Sequence, residues 1–175
     1  MPPPGQAPTQ RVWLVIALVM ASTCVAQAFG RFTWGVVLPD ARDDLLGGSN
    51  ALAGLFGTLN VAAYLLGTLA VSWAASRLTL VGLVRVGVVV STTALGLASI
   101  APSGPVLAVA LIAMGLGGAL IWIPAPAISA RALPPQRAGL AVGFVSSGIG
   151  IGIVFAGQMA GFLERRSGGG TFWQT

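Results

Sequence analysis

Four side chains able to contact a polar ligand recur at helical spacing within the first long apolar run, residues 12–38: Thr23, Gln27, Arg31 and Trp34. At about 100° per residue, these positions share one face of an α-helix. Arg31 is the only charge in the run, and an arginine within a spanning helix usually faces a cavity or a partner. The pattern therefore predicts a polar cavity beside this face. The alternative is that the helix ends near Gly30 and the guanidinium extends to the far membrane interface.

The second apolar run carries a similar but shorter pattern. Asn60 and Tyr64 lie four residues apart, with Gly57 and Gly67 on the same helical face. Polar side chains within a span either hydrogen-bond to a neighbouring helix or line a hydrated path. The pair alone leaves both interpretations open. Together with the polar face of the first run, it favours a polar seam shared by the two helices.

Residues of the types that enzymes and metal sites use are scarce. The chain has no histidine, its single cysteine is Cys24, and its four acids, at positions 40, 43, 44 and 164, lie outside the apolar runs. A nucleophile requires a neighbouring base, and a metal requires several ligands. We therefore predict no enzymatic activity, no catalytic residue, no cofactor and no metal.

The composition places the chain in a membrane. Of its 175 residues, 55% are apolar and only 7% are charged, whereas a soluble domain carries about 25% charged residues. All nine basic residues are arginines, and most are scattered singly near the ends of the apolar runs. Nucleic-acid binding needs basic residues clustered on one surface, so we predict the lipid bilayer as a partner and no nucleic acid.

Five apolar runs are long enough for helices that cross a bilayer. Their predicted limits are 12–38, 51–75, 78–100, 106–128 and 138–163, with Pro124 and Pro126 bending the end of the fourth. None shows the strict alternation of a barrel strand. The sequence thus predicts an all-α integral membrane bundle over residues 12–165. A disordered cytoplasmic tail, 1–11, precedes it, and a Gly-rich tail, 166–175, follows.

The arginines also predict the orientation of the bundle. One set of alternate loops receives five of them: Arg11, Arg77, Arg85, Arg131 and Arg137. The opposite loops receive Arg42, Arg165 and Arg166 together with all four acids. Cytoplasmic loops carry the excess of positive charge. We therefore predict a multi-pass membrane protein with a cytoplasmic N-terminus.

The fifth run is rich in glycine on two faces. One face carries the predicted helix-packing residues: Gly139, Gly143, Gly150, Gly157 and Gly161. Gly148 and Gly152 form a smaller patch on the opposite side. Small residues at this spacing let helix backbones approach closely. The pattern predicts two close neighbours for this helix.

Motifs in three of the runs resemble a known family. The first run contains Phe29-Gly30-Arg31-Phe32 and Leu38-Pro39. The second contains Gly57-Thr58-Leu59-Asn60, Ala63-Tyr64-Leu65 and Gly67. The fifth contains Arg137, Gly139, Gly143 and Gly148-x-Gly150-x-Gly152-Ile153. Over about residues 12–165, the chain resembles the N-terminal half of a major facilitator superfamily transporter, most closely the YbfB/YjiJ-like branch.

Two departures from the family pattern stand out. The loop between the second and third helices usually reads Asp-Arg-x-Gly-Arg-Arg, whereas here it is Ser76-Arg77-Leu78-Thr79-Leu80-Val81. The arginine usually found four residues before a glycine in the fourth helix is Leu111, before Gly115. These differences put the usual gating contacts in doubt.

The resemblance implies a fold, a function and a site. The fold would be five helices of a 3+3 inverted repeat that lacks its sixth helix, with the substrate site between two halves near the midplane. The function would be secondary active transport of a small, anionic or polar solute by alternating access. The substrate-binding residues would be Gln27, Arg31, Asn60 and Tyr64, and the partner a separate or missing C-terminal half. The alternative is a non-transporting membrane remnant or small subunit that packs on a partner through its fifth helix.

Overall fold

Helices account for nearly all of the computed structural model, which describes residues 8–167. The helices are α1 (Pro8–Thr23), a π-helical segment (Cys24–Phe32), α2 (Thr33–Leu45), α3 (Asn50–Ala74), α4 (Leu80–Ser99), α5 (Gly104–Trp122), α6 (Ala125–Ala132), a 3-10 turn (Pro135–Arg137) and α7 (Ala138–Ser167). Within these described residues, five segments are long and apolar enough to cross a membrane: Arg11–Leu45, Asn50–Ala74, Leu80–Ser99, Gly104–Ala132 and Pro135–Phe162. The prediction of an all-α membrane fold with five spans is confirmed.

The first span is longer than the sequence predicts. Its helix continues past position 38, through Pro39 and the charged residues that follow, as far as Leu45. It ends where Gly47 and Gly48 adopt φ values of +57° and +73°, which only glycine adopts without strain. The Gly48 amide donates a hydrogen bond to the Arg42 carbonyl oxygen at 2.9 Å. Two glycines, not the proline, therefore terminate the helix.

The ends of the other spans shift by a few residues, for local reasons. The third begins at Leu80 rather than 78 because the Thr79 side chain caps it, accepting a hydrogen bond from the Gly82 amide at 3.0 Å. The fourth breaks at Ile123–Pro124, where α5 gives way to α6. Of the predicted N-terminal tail, residues 1–7 lie outside the described residues, and α1 begins at Pro8. Of the C-terminal tail, 168–175 lie outside them, and α7 extends through Ser167.

Helix α5 is the centre of the bundle and the most buried of the five spans. It packs between α3 and α4, and glycines make both contacts possible. A Cβ atom added at Gly67 of α3 would lie 2.7 Å from the Ala119 Cβ atom of α5, and one added at Gly87 of α4 would lie 2.8 Å from the Gly117 carbonyl oxygen. Because neither glycine has a side chain, the backbones can approach to contact.

Two apolar clusters fill the interior at different places along the bundle. One joins α2, α3, α4 and α5 around Leu46, Phe56, Leu107 and Met114. The other joins α1, α6 and α7, and its buried residues are Ile16, Val19, Ala125, Ala141 and Val145. The first span thus contributes α1 to one cluster and α2 to the other, with the π-helical segment between them.

Candidate functional site

The polar residues of the first span lie in and beside the π-helical segment. A π-helix closes its hydrogen bonds from i to i+5, so each turn holds more residues than an α-helical turn. The assumed period of 100° per residue therefore does not hold across positions 24–32. Gln27 is buried within the segment, and Arg31 is half-buried one turn further along.

The prediction that four residues share one face is wrong for Thr23. Its buried hydroxyl faces α7, where it lies 3.0 Å from the Val145 carbonyl oxygen, and it also lies 2.8 Å from the carbonyl oxygen of Met20. Trp34 faces α3, where its ring stacks on Phe56 with centroids 6.5 Å apart. Arg31 contacts the same helix through Tyr64, so Trp34 and Arg31 both face α3. In the described structure Thr23 and Trp34 make packing contacts.

The structure brings together two of the predicted site residues, Arg31 and Tyr64. The guanidinium carbon of Arg31 lies 4.6 Å from the centroid of the Tyr64 ring. At this distance the cation is attracted by the negative face of the ring. Both side chains are half-buried, so the guanidinium retains access to a ligand from one side.

Asn60 ties the same region to two further elements. Its side-chain amide donates one hydrogen bond to the Leu111 carbonyl oxygen at 2.8 Å and another to that of Gly30 at 3.4 Å. Asn60 is buried. The α3 backbone beside it lies in close contact with α5: a Cβ atom added at Gly115 would overlap the Asn60 carbonyl oxygen. Its amide protons therefore serve interhelical bonding, the first of the two interpretations left open by the sequence.

This arrangement suits recognition of an anion. A guanidinium offers five donors in a plane that matches carboxylate and phosphate geometry. Between positions 45 and 163 the chain has no Asp or Glu, so the other four spans bring no carboxylate to neutralise the cation. The attraction to the Tyr64 ring holds the guanidinium in place, while its N–H groups can donate to a ligand.

The glycine faces of α7 differ sharply. On the smaller patch, a Cβ atom at Gly148 would lie 2.7 Å from the Met20 carbonyl oxygen, and one at Gly152 would overlap Cys24 and Ala28. On the face predicted for helix packing, Cβ atoms at Gly139, Gly143, Gly150 and Gly157 would meet nothing within 4 Å, and one at Gly161 would meet only the Arg165 side chain. Within the described part of the chain, only the smaller patch has a neighbour. The role of the larger face in packing stays a prediction.

Sequence reasoning missed two further features, one buried and one partly exposed. The Ser91 hydroxyl of α4 is fully buried beside Gly117 and has no hydrogen-bond partner among the described residues. The ring of Phe29 meets that of Phe155 edge to face, with centroids 6.2 Å apart. Neither feature could be predicted from the sequence. A serine in an apolar run can also hydrogen-bond to its own helix, and the partner of an aromatic ring depends on tertiary packing.

Comparison with known proteins agrees with the fold. No curated protein and no solved structure matches the chain. The family model of the Major Facilitator Superfamily matches residues 12–175, which covers all five spans and every residue of the candidate site. The chain therefore belongs to the Major Facilitator Superfamily of membrane transporters.

Proposed function

We propose that the chain forms the N-terminal bundle of a secondary active transporter, of the YbfB/YjiJ-like branch, that moves a small anionic or polar solute by alternating access. The observation that best supports this proposal is the position of the half-buried Arg31 guanidinium, whose carbon lies 4.6 Å from the centroid of the Tyr64 ring. A cation kept within a spanning helix is costly and usually has a functional counter-charge. An anionic group of the substrate would supply it.

The remaining predicted residues support this role by position. Gln27 precedes Arg31 by one turn of the π-helical segment, and Asn60 fixes the backbone of that segment through the Gly30 carbonyl oxygen. We therefore assign Arg31 and Tyr64 to substrate contact, Gln27 to an adjoining polar contact, and Asn60 to the wall that positions them.

The larger glycine face of α7, called here the open face (Gly139, Gly143, Gly150, Gly157 and Gly161), supports the proposal that this bundle is one half of a transporter. In transporters built from two halves, the site lies at the interface between repeats. Glycines that have no neighbour among the described residues allow another helix backbone to approach closely. A second half, on a separate chain or further along this one, would cover this face. The protein would lie in the bacterial inner membrane with its N-terminus in the cytoplasm.

Uptake into proteoliposomes tests the proposal. Protein from the complete reading frame would be screened with small carboxylates, phosphates and neutral polar solutes. We expect an anion to be taken up, and Arg31→Gln to lower that uptake by at least about tenfold, since a charge-assisted contact contributes about 1.5–3 kcal/mol. Tyr64→Phe, which keeps the ring face, should retain most of the uptake, whereas Tyr64→Leu should lose it.

Arg165→Gln is the matched control, because Arg165 is exposed and its Nε atom bonds only to the Gly161 carbonyl oxygen of its own helix in the described structure. This variant should transport normally. Equal uptake by the Arg31→Gln variant and the parent protein would show that Arg31 does not contact the substrate.

A further inference from the structure

Five arginines lie at one end of the bundle, defined here as the arginine-rich end: Arg11, Arg77, Arg85, Arg131 and Arg137. All five are exposed. Helix α6, which carries Arg131, packs against α1, α4 and the 3-10 turn, so the segments that carry Arg11, Arg85 and Arg137 meet beside it. Arg77 lies in the turn that leads into α4. None of the four acids of the chain belongs to these segments. This end therefore carries five positive charges without a carboxylate from its own segments.

Arg77 is held in a geometry suited to phosphate. Its guanidinium carbon lies 4.5 Å from the centroid of the Trp73 ring. The attraction to the ring holds the guanidinium in place, and its N–H groups can still donate two parallel hydrogen bonds to a phosphate. The Trp73 ring is 64% exposed, and exposed tryptophans at span ends favour the headgroup level of a bilayer.

Arg85 shows which kind of anion can reach this surface. It is the sixth residue of α4, about 8 Å along the helix axis from the first. Its exposed neighbours are apolar: Val81, Val86 and Val89 are 47%, 48% and 65% exposed. An arginine at such a position extends along apolar surface and places its charge near the interface. A phospholipid has both a phosphate and acyl chains, so it can contact the arginine and cover the valines together, whereas a nucleic acid has no aliphatic part to cover them.

We propose that the arginine-rich end binds anionic phospholipid. Arg77 and Arg85 would hold the phosphate groups of the headgroups, and the acyl chains would lie along the valines of α4. This surface lies apart from Arg31 and Tyr64, so the inference does not depend on the proposed transport function.

Thermal unfolding of the purified protein in a neutral detergent tests this inference. The probes are phosphatidylglycerol, phosphatidylcholine and glycerol phosphate, the last of which lacks acyl chains. A ligand that binds only the folded protein raises its Tm. We expect phosphatidylglycerol to raise the Tm well above the effect of phosphatidylcholine, and glycerol phosphate at equal concentration to have little effect. The double variant Arg77→Gln/Arg85→Gln should lose at least half of the phosphatidylglycerol effect.

Arg165→Gln, which removes a charge from the opposite end, should keep the whole effect. If the double variant is too unstable to melt cooperatively, Arg85→Gln alone is compared with the parent protein by native mass spectrometry. The measured quantity is then the number of phosphatidylglycerol molecules bound in competition with phosphatidylcholine. Equal Tm shifts with both lipids, or a full shift in the double variant, would overturn the proposal. A full shift with glycerol phosphate alone would also overturn it, because the bound species would then be a free phosphate ester.

Discussion

At the scale of single residues, the buried polar groups of this bundle divide into satisfied and unsatisfied ones. Asn60 donates to carbonyl oxygens of two other elements, while the Ser91 hydroxyl has no partner among the described residues. A side-chain hydrogen bond between membrane helices contributes modestly, about 0.6 kcal/mol on average and up to about 1.7. A buried polar group left without a partner costs about 1–3 kcal/mol. The two residues should therefore respond to substitution in opposite directions.

Replacement of Asn60 by leucine should destabilise the bundle by about 1 kcal/mol, because both amide donors are lost while the volume is nearly kept. The free energy of unfolding, measured by titration with a denaturing detergent, is the test. Gln158→Leu is a suitable control, since Gln158 is exposed on α7. An Asn60→Leu variant as stable as the parent would mean that the two hydrogen bonds add nothing to the packing of α3.

Replacement of Ser91 by alanine should have no cost, or should stabilise the protein by up to about 1 kcal/mol, because it removes an unsatisfied hydroxyl. The same titration measures it. Thr92→Ala provides the comparison, because Thr92 lies on the exposed side of the same helix. Clear destabilisation by Ser91→Ala alone would reveal a hydrogen bond made by this hydroxyl to a bound water or to another chain.

At the scale of helices, α5 depends on glycines where it meets its neighbours. Gly115→Ala should destabilise the bundle by about 1–3 kcal/mol, the usual cost of overpacking, since its Cβ atom would overlap the Asn60 carbonyl oxygen. Gly96→Ala is the matched control, because a Cβ atom there meets nothing within 4 Å and alanine is favoured over glycine in a helix by about 0.5–1 kcal/mol. If both variants had the same unfolding free energy, α3 and α5 would not be in close contact at this point.

Helices were the most predictable part of this protein, and their internal geometry the least. The length and apolarity of each run are sufficient to predict a spanning helix, and Pro124 marks the break between α5 and α6. The π-helical turns had no comparable signal. Helical periodicity predicted a polar seam between the first two spans, and the family resemblance made Gln27, Arg31, Asn60 and Tyr64 the site. Neither could show that the amide of Asn60 bonds between helices. Thr23 was assigned to the wrong face because the wider π-helical turns change the period after it.

At the scale of the whole molecule, α7 packs on the rest of the described bundle through one side only. Gly148→Leu should prevent its packing on α1, because the backbone of Met20 lies where the side chain would be, and the variant should express poorly and unfold at a much lower temperature. Gly150→Leu, two residues away on the open face, should keep the thermal stability of this bundle and impair only association with a further helix. The paired measurements are the Tm in detergent and co-purification with the second half. Equal losses of Tm would mean that both faces pack within this bundle.

The winding of the first span has a mechanical consequence. Its two ends belong to different clusters, one with α6 and α7 and the other with α3, α4 and α5, and the nine residues between them form wider turns than the rest. If those turns tightened to α-helical geometry, one end of the first span would rotate about the helix axis relative to the other end. Arg31 is the last residue but one of the loosely wound stretch, so the same twist would swing its charge around the axis and away from the Tyr64 ring.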